Sequence, residues 1–110
     1  MIEKLLIDYL KGFFEHVYAE VPPDPPEEFI VIDKTGGGIT DHIERATVAI
    51  QSYAPTKFRA ASIKEELKER MKGFIESDDI SKITLETDYD YTDTSTKQYR
   101  YQALYSFVLF

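Results

Sequence analysis

The sequence predicts an α+β fold in which one four-stranded, largely antiparallel sheet is covered by two helices. Two segments carry apolar residues at the three-and-four spacing of a helix, and each is followed by two segments of strand-like composition. Turn residues separate the strands of each pair. The 110 residues fit one domain, residues 1–110, with the order helix, strand, strand, helix, strand, strand.

The first helix is predicted from an apolar stripe near the start of the chain. The stripe consists of Ile2, Leu5, Leu6, Tyr9, Leu10, Phe13 and Phe14. Charged residues lie off this stripe, so we expect the helix to pack its apolar side on a core. The following stretch, "VPPDPPEEF", has four prolines, which exclude a helix and predict a stiff, extended connector.

A hairpin is predicted after the connector. The stretch "EFIVID" is rich in β-branched and aromatic residues, and "TGGG" predicts a loop because glycine adopts positive φ readily. The return strand runs through "DHIERATVAIQSYA", with Ala46, Val48 and Ile50 on one buried face. A phosphate-binding loop is disfavoured because no Lys-Ser/Thr pair follows the glycines and no helix begins behind them.

The second helix is predicted to begin near Pro55 and Thr56. Its apolar stripe consists of Ala60, Ile63, Leu67, Met71 and Phe74. Residues of both charge signs cover its outer face, and "SDD" is expected to end it. This helix is therefore expected to lie on the same sheet as the first.

Two more strands complete the predicted fold. The stretch "ISKITLETDYDYTD" is expected to place Ile83, Leu85, Thr87, Tyr89 and Tyr91 on one face. The cluster "TDTSTK" predicts a turn. The last strand, "QYRYQALYSFVLF", becomes apolar on both faces towards its end.

The length of the last strand is unusual. Extended from Gln98 to Phe110, it would measure about 44 Å, whereas a compact domain of this size is about 34 Å across. We therefore expect it to bend, break or project, and we expect a second subunit to cover part of it because uncovered apolar strands aggregate. The candidate interface residues are Leu104, Tyr105, Val108 and Phe110.

Composition excludes several kinds of chemistry. The net charge of −7 disfavours binding to nucleic acid, and the absence of cysteine excludes disulfides, thiolate catalysis and cysteine zinc sites. No apolar run reaches the roughly 18 residues of a membrane span, so no membrane partner is predicted.

His16 and His42 lie in different elements, and neither has a second histidine or a carboxylate at the spacing of metal ligands. The series Asp88, Asp90, Asp93 lacks the glycine and the closing glutamate of a calcium loop. We predict no catalytic residue, metal or cofactor, and no enzyme.

Four stretches of the chain together carry a family resemblance: "IVIDKTGGG", "DHIERATVAIQSYA", the second helix with "AASIKEELKERMKGFIESDDI", and "LETDYDYTDTSTKQYRYQALYSFVLF". They resemble the tail terminator proteins, also called tail completion or minor capsid-like proteins, of long-tailed bacteriophages and of prophages of Gram-positive bacteria. The resemblance covers nearly the whole chain and rests on the order of the elements and an aromatic last strand. It implies a virion structural protein that caps the tail tube, stops its polymerisation and provides the joint to the head connector.

The resemblance also implies partners and a location. The partners are copies of the chain in a hexameric ring, the tail-tube protein and head connector proteins. The location is the virion, and the host cytoplasm during assembly. DNA would pass through the ring without being bound, because acidic walls repel phosphates. Candidate acids of the bore or rim are Asp33, Asp41, Asp88, Asp90 and Asp93.

Other functions stay open at this point. Phage head-tail joining, or head closure, proteins have a similar size and fold. A non-viral module that binds a peptide by adding it to a sheet edge would also lack catalytic residues. A small hydrolase is a further alternative, although no spacing of residues indicates its site. Head and tail genes beside this gene would favour tail termination or head closure. Their absence would favour the peptide-binding module.

Overall fold

The computed structural model describes residues 2–76, 80–90 and 98–109. In this part of the chain, two helices and one five-stranded mixed sheet form an α+β fold. The elements in chain order are α1 (Ile2–Leu10), β1 (Val17–Tyr18), β2 (Phe29–Thr40), β3 (Ile43–Ala54), α2 (Lys57–Gly73), a 3₁₀ turn (Phe74–Glu76), β4 (Ile80–Asp90) and β5 (Tyr99–Leu109). The predicted α+β class and the two helices are confirmed.

The sheet has one strand more than predicted. Its order is β1-β2-β3-β5-β4, and the four long strands pair antiparallel. The additional strand, β1, runs parallel to β2 and pairs Val17 with Ile30 and Tyr18 with Val31. Two residues are too few to show the alternation of a strand, so β1 was missed from the sequence.

The turn between β2 and β3 lies later than predicted. Asp41 and His42 form it, with φ of 52° and 65°, as in the two-residue turns that join twisted antiparallel strands. The predicted "TGGG" loop is wrong, because the glycines continue β2. At Gly37, φ is 152°, and a Cβ would lie 2.7 Å from the carbonyl oxygen of Arg45, so this position requires glycine.

Both helices pack on one face of the sheet, which we call the helix face. Helix α2 begins as predicted: the Thr56 hydroxyl accepts a hydrogen bond of 3.2 Å from the backbone N–H of Arg59. Helix α1 ends at Leu10, before the predicted end of its stripe, because residues 11–13 form a turn. The large, fully buried side chains between the helices and the sheet include Leu6, Leu10, Ile30, Ile32, Ile50, Leu67, Met71 and Phe107.

Two bulges change the face assignment in β4. Ile83 and Leu85 pair with Phe107 and Tyr105 of β5 and lie on the helix face. The second bulge follows Leu85, so Thr87 and Tyr89 lie on the opposite face. This corrects the prediction that they share one face with Ile83 and Leu85; Tyr91, the fifth residue of that prediction, lies outside the described residues. Asp88 and Asp90 consequently lie on the helix face.

The molecule is elongated, with extents of 44 × 25 × 24 Å. Strand β5, at about 37 Å, fits along the long axis without breaking or projecting. The expectation of a strand too long for its domain was wrong because it assumed a spherical shape. The predicted "SDD" stop and "TDTSTK" turn lie outside the described residues.

Candidate assembly surfaces

The sheet face turned away from the helices, which we call the open face, is closed at one end by aromatic side chains. Phe29 of β2 stacks on Tyr53 of β3 with ring centroids 4.4 Å apart, and Tyr18 meets Phe29 edge-on at 6.3 Å. The guanidinium of Arg100 lies 5.8 Å from the Tyr53 ring centroid. Phe29 and Tyr53 are thereby buried, so this end of the open face needs no further cover.

A chain of hydrogen bonds crosses the middle of the open face. The Tyr53 hydroxyl donates to Oε1 of Gln51 at 2.8 Å, and Nε2 of Gln51 donates to Oε1 of Gln102 at 2.9 Å. Nε2 of Gln102 in turn donates to the Tyr89 hydroxyl at 2.6 Å. These bonds join β3, β5 and β4 through their side chains and fix both amides in one orientation.

The other end of the open face is only partly covered. Leu104 and Val108 of β5 lie there, both half-buried. A hollow of about 240 Å³ opens beside Val108, between β3, β5 and β4. In the described part of the chain no helix covers this hollow, since both helices lie on the helix face. Two of the predicted interface residues therefore lie on an accessible surface, and Phe110 lies outside the described residues.

Tyr105, the fourth predicted interface residue, lies on the helix face. Its side chain is only 3% exposed and packs in the core. Burial raises the pKa of the Tyr105 hydroxyl to about 12. Tyr105 therefore does not share the open face with Leu104 and Val108, because its side chain points to the helix face and is almost fully enclosed there.

The structure separates the predicted acids of the bore. Asp33 and Asp41 are exposed on the β2–β3 hairpin. Asp88 faces helix α2, and its Oδ2 lies 2.9 Å from Nζ of Lys68, a contact that lowers the pKa of Asp88. Asp90 Oδ2 lies 3.7 Å from Nζ of Lys57. Asp93 is outside the described residues. The four described acids lie on β2, on β4 and in the β2–β3 turn, and they do not share one face of the sheet.

An apolar groove that the sequence did not indicate lies on the helix face between α2 and β4. We call it the β4 groove; its volume is about 360 Å³. Its lining residues are Lys68, Met71, Lys72, Ile75, Ile83, Leu85 and Tyr105. The two lysines are paired, Lys68 with Asp88 at 2.9 Å and Lys72 with Glu69 at 2.8 Å, so the remaining lining of the groove is largely apolar.

The two histidines lie apart. Nδ1 of His16 is 3.2 Å from the Tyr18 hydroxyl, and its Nε2 is 3.8 Å from Glu15. His42 is exposed in the β2–β3 turn. Among the described residues, no group of three or more histidine, aspartate or glutamate side chains is placed to hold a metal ion. Neither described helix is long and apolar enough to cross a membrane.

Comparisons with protein families and with curated proteins identified no relative of this chain. No protein-family model matches the chain, and no curated protein matches it at a significant level. The resemblance to tail terminators stays a prediction from the sequence. The structural basis for a function is the partly covered end of the open face, the β4 groove and the edges of the sheet.

Proposed function

We propose that this chain is the subunit of a ring that caps the end of a phage tail tube, stops its polymerisation and joins it to the head connector. The observation that carries the proposal is the partly covered end of the open face, where Val108 lines a hollow and Leu104 is half-buried on the same face. Each Å² of apolar surface that an assembly removes from water contributes about 25 cal/mol. A second protein surface placed there would complete the burial that the chain itself leaves unfinished.

The charge of the chain supports the same proposal. A net charge of −7 repels DNA phosphates, which suits a ring through which DNA slides. Asp33 and Asp41 are the candidates for the bore or rim, because both are exposed on the hairpin. Asp88 and Asp90 contribute less, because lysines of α2 offset their charge.

Electron microscopy of tail tubes tests the proposal. The purified chain is mixed with a polymerising tail-tube protein, which the proposal expects the same phage or prophage to encode. We expect rings at tube ends and shorter tubes, whereas tubes of unchanged length with bare ends would contradict the proposal. Val108→Asp, which places a charge in the hollow, should abolish capping. Val21→Asp is the matched control, since Val21 is an exposed valine in the proline-rich connector.

Deletion of the gene separates the proposal from the head closure alternative. A phage or prophage without a terminator should produce over-long tails that are not joined to heads. Loss of a head closure protein should leave tails of normal length beside unjoined heads. Normal, joined tails in the deletion strain would contradict both roles.

Peptide binding by sheet-edge addition is a second candidate. It is favoured by the outer edge of β4, which has no strand partner among the described residues and borders the apolar β4 groove. An extended peptide added there would form backbone hydrogen bonds and place alternate side chains in the groove. A gene located away from head and tail genes, together with selection of one sequence motif from a displayed peptide library, would support this candidate.

A further inference from the structure

Both outer edges of the sheet have backbone groups without a strand partner in the described part of the chain. Strand β1 pairs with β2 only at Ile30 and Val31, so the edge formed by residues 32–40, which we call the free β2 edge, is unpaired. Strand β4 is the last strand on the other side. Such edges are templates for pairing with another chain. Because the four long strands alternate in direction, β4 of one copy would pair antiparallel with β2 of another.

The two edges also carry complementary apolar features. Ile39, on the free β2 edge, is 72% exposed. It pairs with Glu44 of β3, two residues from Ala46, and this position places it on the helix face. The β4 groove opens on the helix face beside Ile83 and Leu85. We propose that the free β2 edge of one copy adds to β4 of a second copy, with Ile39 filling the β4 groove of that second copy. This inference rests on the self-assembly proposed above and assigns the contact between copies to the two sheet edges, not to the open face.

One register satisfies the side chains of both strands. When Ile39 lies opposite Ile83, Lys34 lies opposite Asp88 and Thr40 lies opposite Lys82. The bulge before Gly36 then falls at the same level as the bulge after Leu85, so helix-face residues stay opposite helix-face residues. No like charges face each other in this register, a condition that antiparallel pairs require.

The same register fits the lengths of the two edges. It ends with Ile32 opposite Asp90, which leaves Val31 to its pairing with β1. Beyond Val31 the added strand runs beside the hollow that Ile32, Asp33 and Lys34 line together with Ala19 and helix α1. The glycines of β2 carry no side chains, so the backbone of β4 can approach this edge closely.

The contact joins two different surfaces, so it repeats from copy to copy. Each copy presents Ile39 at one edge and a β4 groove at the other. Heterologous contacts of this kind generate a ring when the rotation between copies closes, and a filament when it does not. The natural twist between neighbouring strands supplies part of the rotation.

Engineered cysteines test the register directly, because the chain has no cysteine of its own. Thr40 and Lys82 are exposed and face each other in the proposed register. A mixture of Thr40→Cys and Lys82→Cys should form a disulfide-linked dimer on mild oxidation, while each variant alone should not. Lys11→Cys replaces Lys82→Cys in the control mixture, because Lys11 is an exposed lysine in the turn after α1 and lies on neither sheet edge.

A second variant pair tests the apolar contact. Ile39→Asp should weaken self-association by about tenfold or more in sedimentation equilibrium. Phe58→Asp is the matched control, because Phe58 is 79% exposed at the start of α2, which lies outside both edges. It should change association by less than about twofold.

The outcomes distinguish this inference from the proposed function. Assembly into rings without the Thr40–Lys82 cross-link would overturn the interface and leave the ring proposal intact. A cross-link within Thr40→Cys alone would also overturn it, since it would show a symmetric contact. A cross-link in the mixture on tubes that stay uncapped would support the interface and contradict the terminator role. No association, either in solution or on tubes, would overturn both and leave the β4 edge to a peptide partner.

Discussion

The two ends of β3 differ in burial although they belong to one strand. From Val48 to Ala54, residues on both faces are buried or half-buried, whereas Ile43, Glu44 and Arg45 are exposed. Both ends pair with β2 and β5, so backbone hydrogen bonding does not explain the difference. The buried end lies between the helices and the aromatic cluster of the open face. Pairing forms the strand, but a layer on each face is needed to bury it.

The largest expected effect on the free energy of unfolding comes from replacing isoleucine at the buried end of β3, and the same substitution at its exposed end provides the comparison. Ile50 is 0% exposed and Ile43 is 39% exposed. Ile50→Ala should lower the free energy of unfolding by about 2–5 kcal/mol, because it leaves a cavity in the core. Ile43→Ala should lower it by less than about 1 kcal/mol. Urea denaturation followed by circular dichroism measures both changes in the free energy of unfolding. Equal changes would contradict the conclusion that the two ends of β3 contribute differently to stability.

A smaller effect is expected within the exposed hairpin. Gly37→Ala places a methyl group against the Arg45 carbonyl oxygen in a backbone conformation that suits glycine, at a cost of about 1–3 kcal/mol. Gly38→Ala is the control, because no atom lies within 4 Å of its added Cβ. Amide hydrogen exchange of the hairpin should rise in the first variant only. Unchanged exchange would show that the hairpin backbone adjusts freely.

Substitution of Ser52, at the buried end of β3, is expected to stabilise the fold. Its hydroxyl is buried and makes no hydrogen bond with any described residue. Ser52→Ala should raise the free energy of unfolding by about 1 kcal/mol, because a buried polar group without a partner is removed. A decrease in the same denaturation experiment would indicate that a water molecule or an undescribed residue satisfies the hydroxyl.

The smallest effect concerns the contact between α2 and β4. The contact with Lys68 lowers the pKa of Asp88 below its ordinary value of 3.8. The folded state therefore gains stability above pH 3.8 and loses it as the pH falls through the lowered pKa. Asp88→Asn should cost less than about 1 kcal/mol at neutral pH, because both side chains are partly exposed. The difference from the unsubstituted chain should vanish in acid, and a difference that persists there would assign the cost to packing.

Much of the fold follows from patterns that the sequence displays. The α2 stripe from Ala60 to Phe74 and the cap at Thr56 were predicted because side-chain spacing and capping chemistry are local. The hairpin loop was misplaced because glycine favours loops on average, while the ladder with β3 kept Gly37 in a strand. The cost of Asp41 and His42 at positive φ is offset by a turn whose twist matches the strands.

The candidate surfaces were harder to predict. Leu104 and Val108 were identified because apolar residues on both faces of a strand exceed what one helix layer covers. Tyr105 was grouped with them because the sequence does not say which face the helices occupy. The β4 groove depends on the distance between α2 and the last strand, and one extra residue after Leu85 turned Asp88 towards the helix. Such distances and bulges leave no periodic signal.

The unpaired margins of the sheet impose a counting rule on any row of copies. A row that grows by joining one margin to the other always keeps a single bare margin of each type, however many members it gains. Only closure removes both at once, without adding a member. The final join thus brings a benefit that no earlier join brings, and a population of such rows would favour complete circles over every intermediate length.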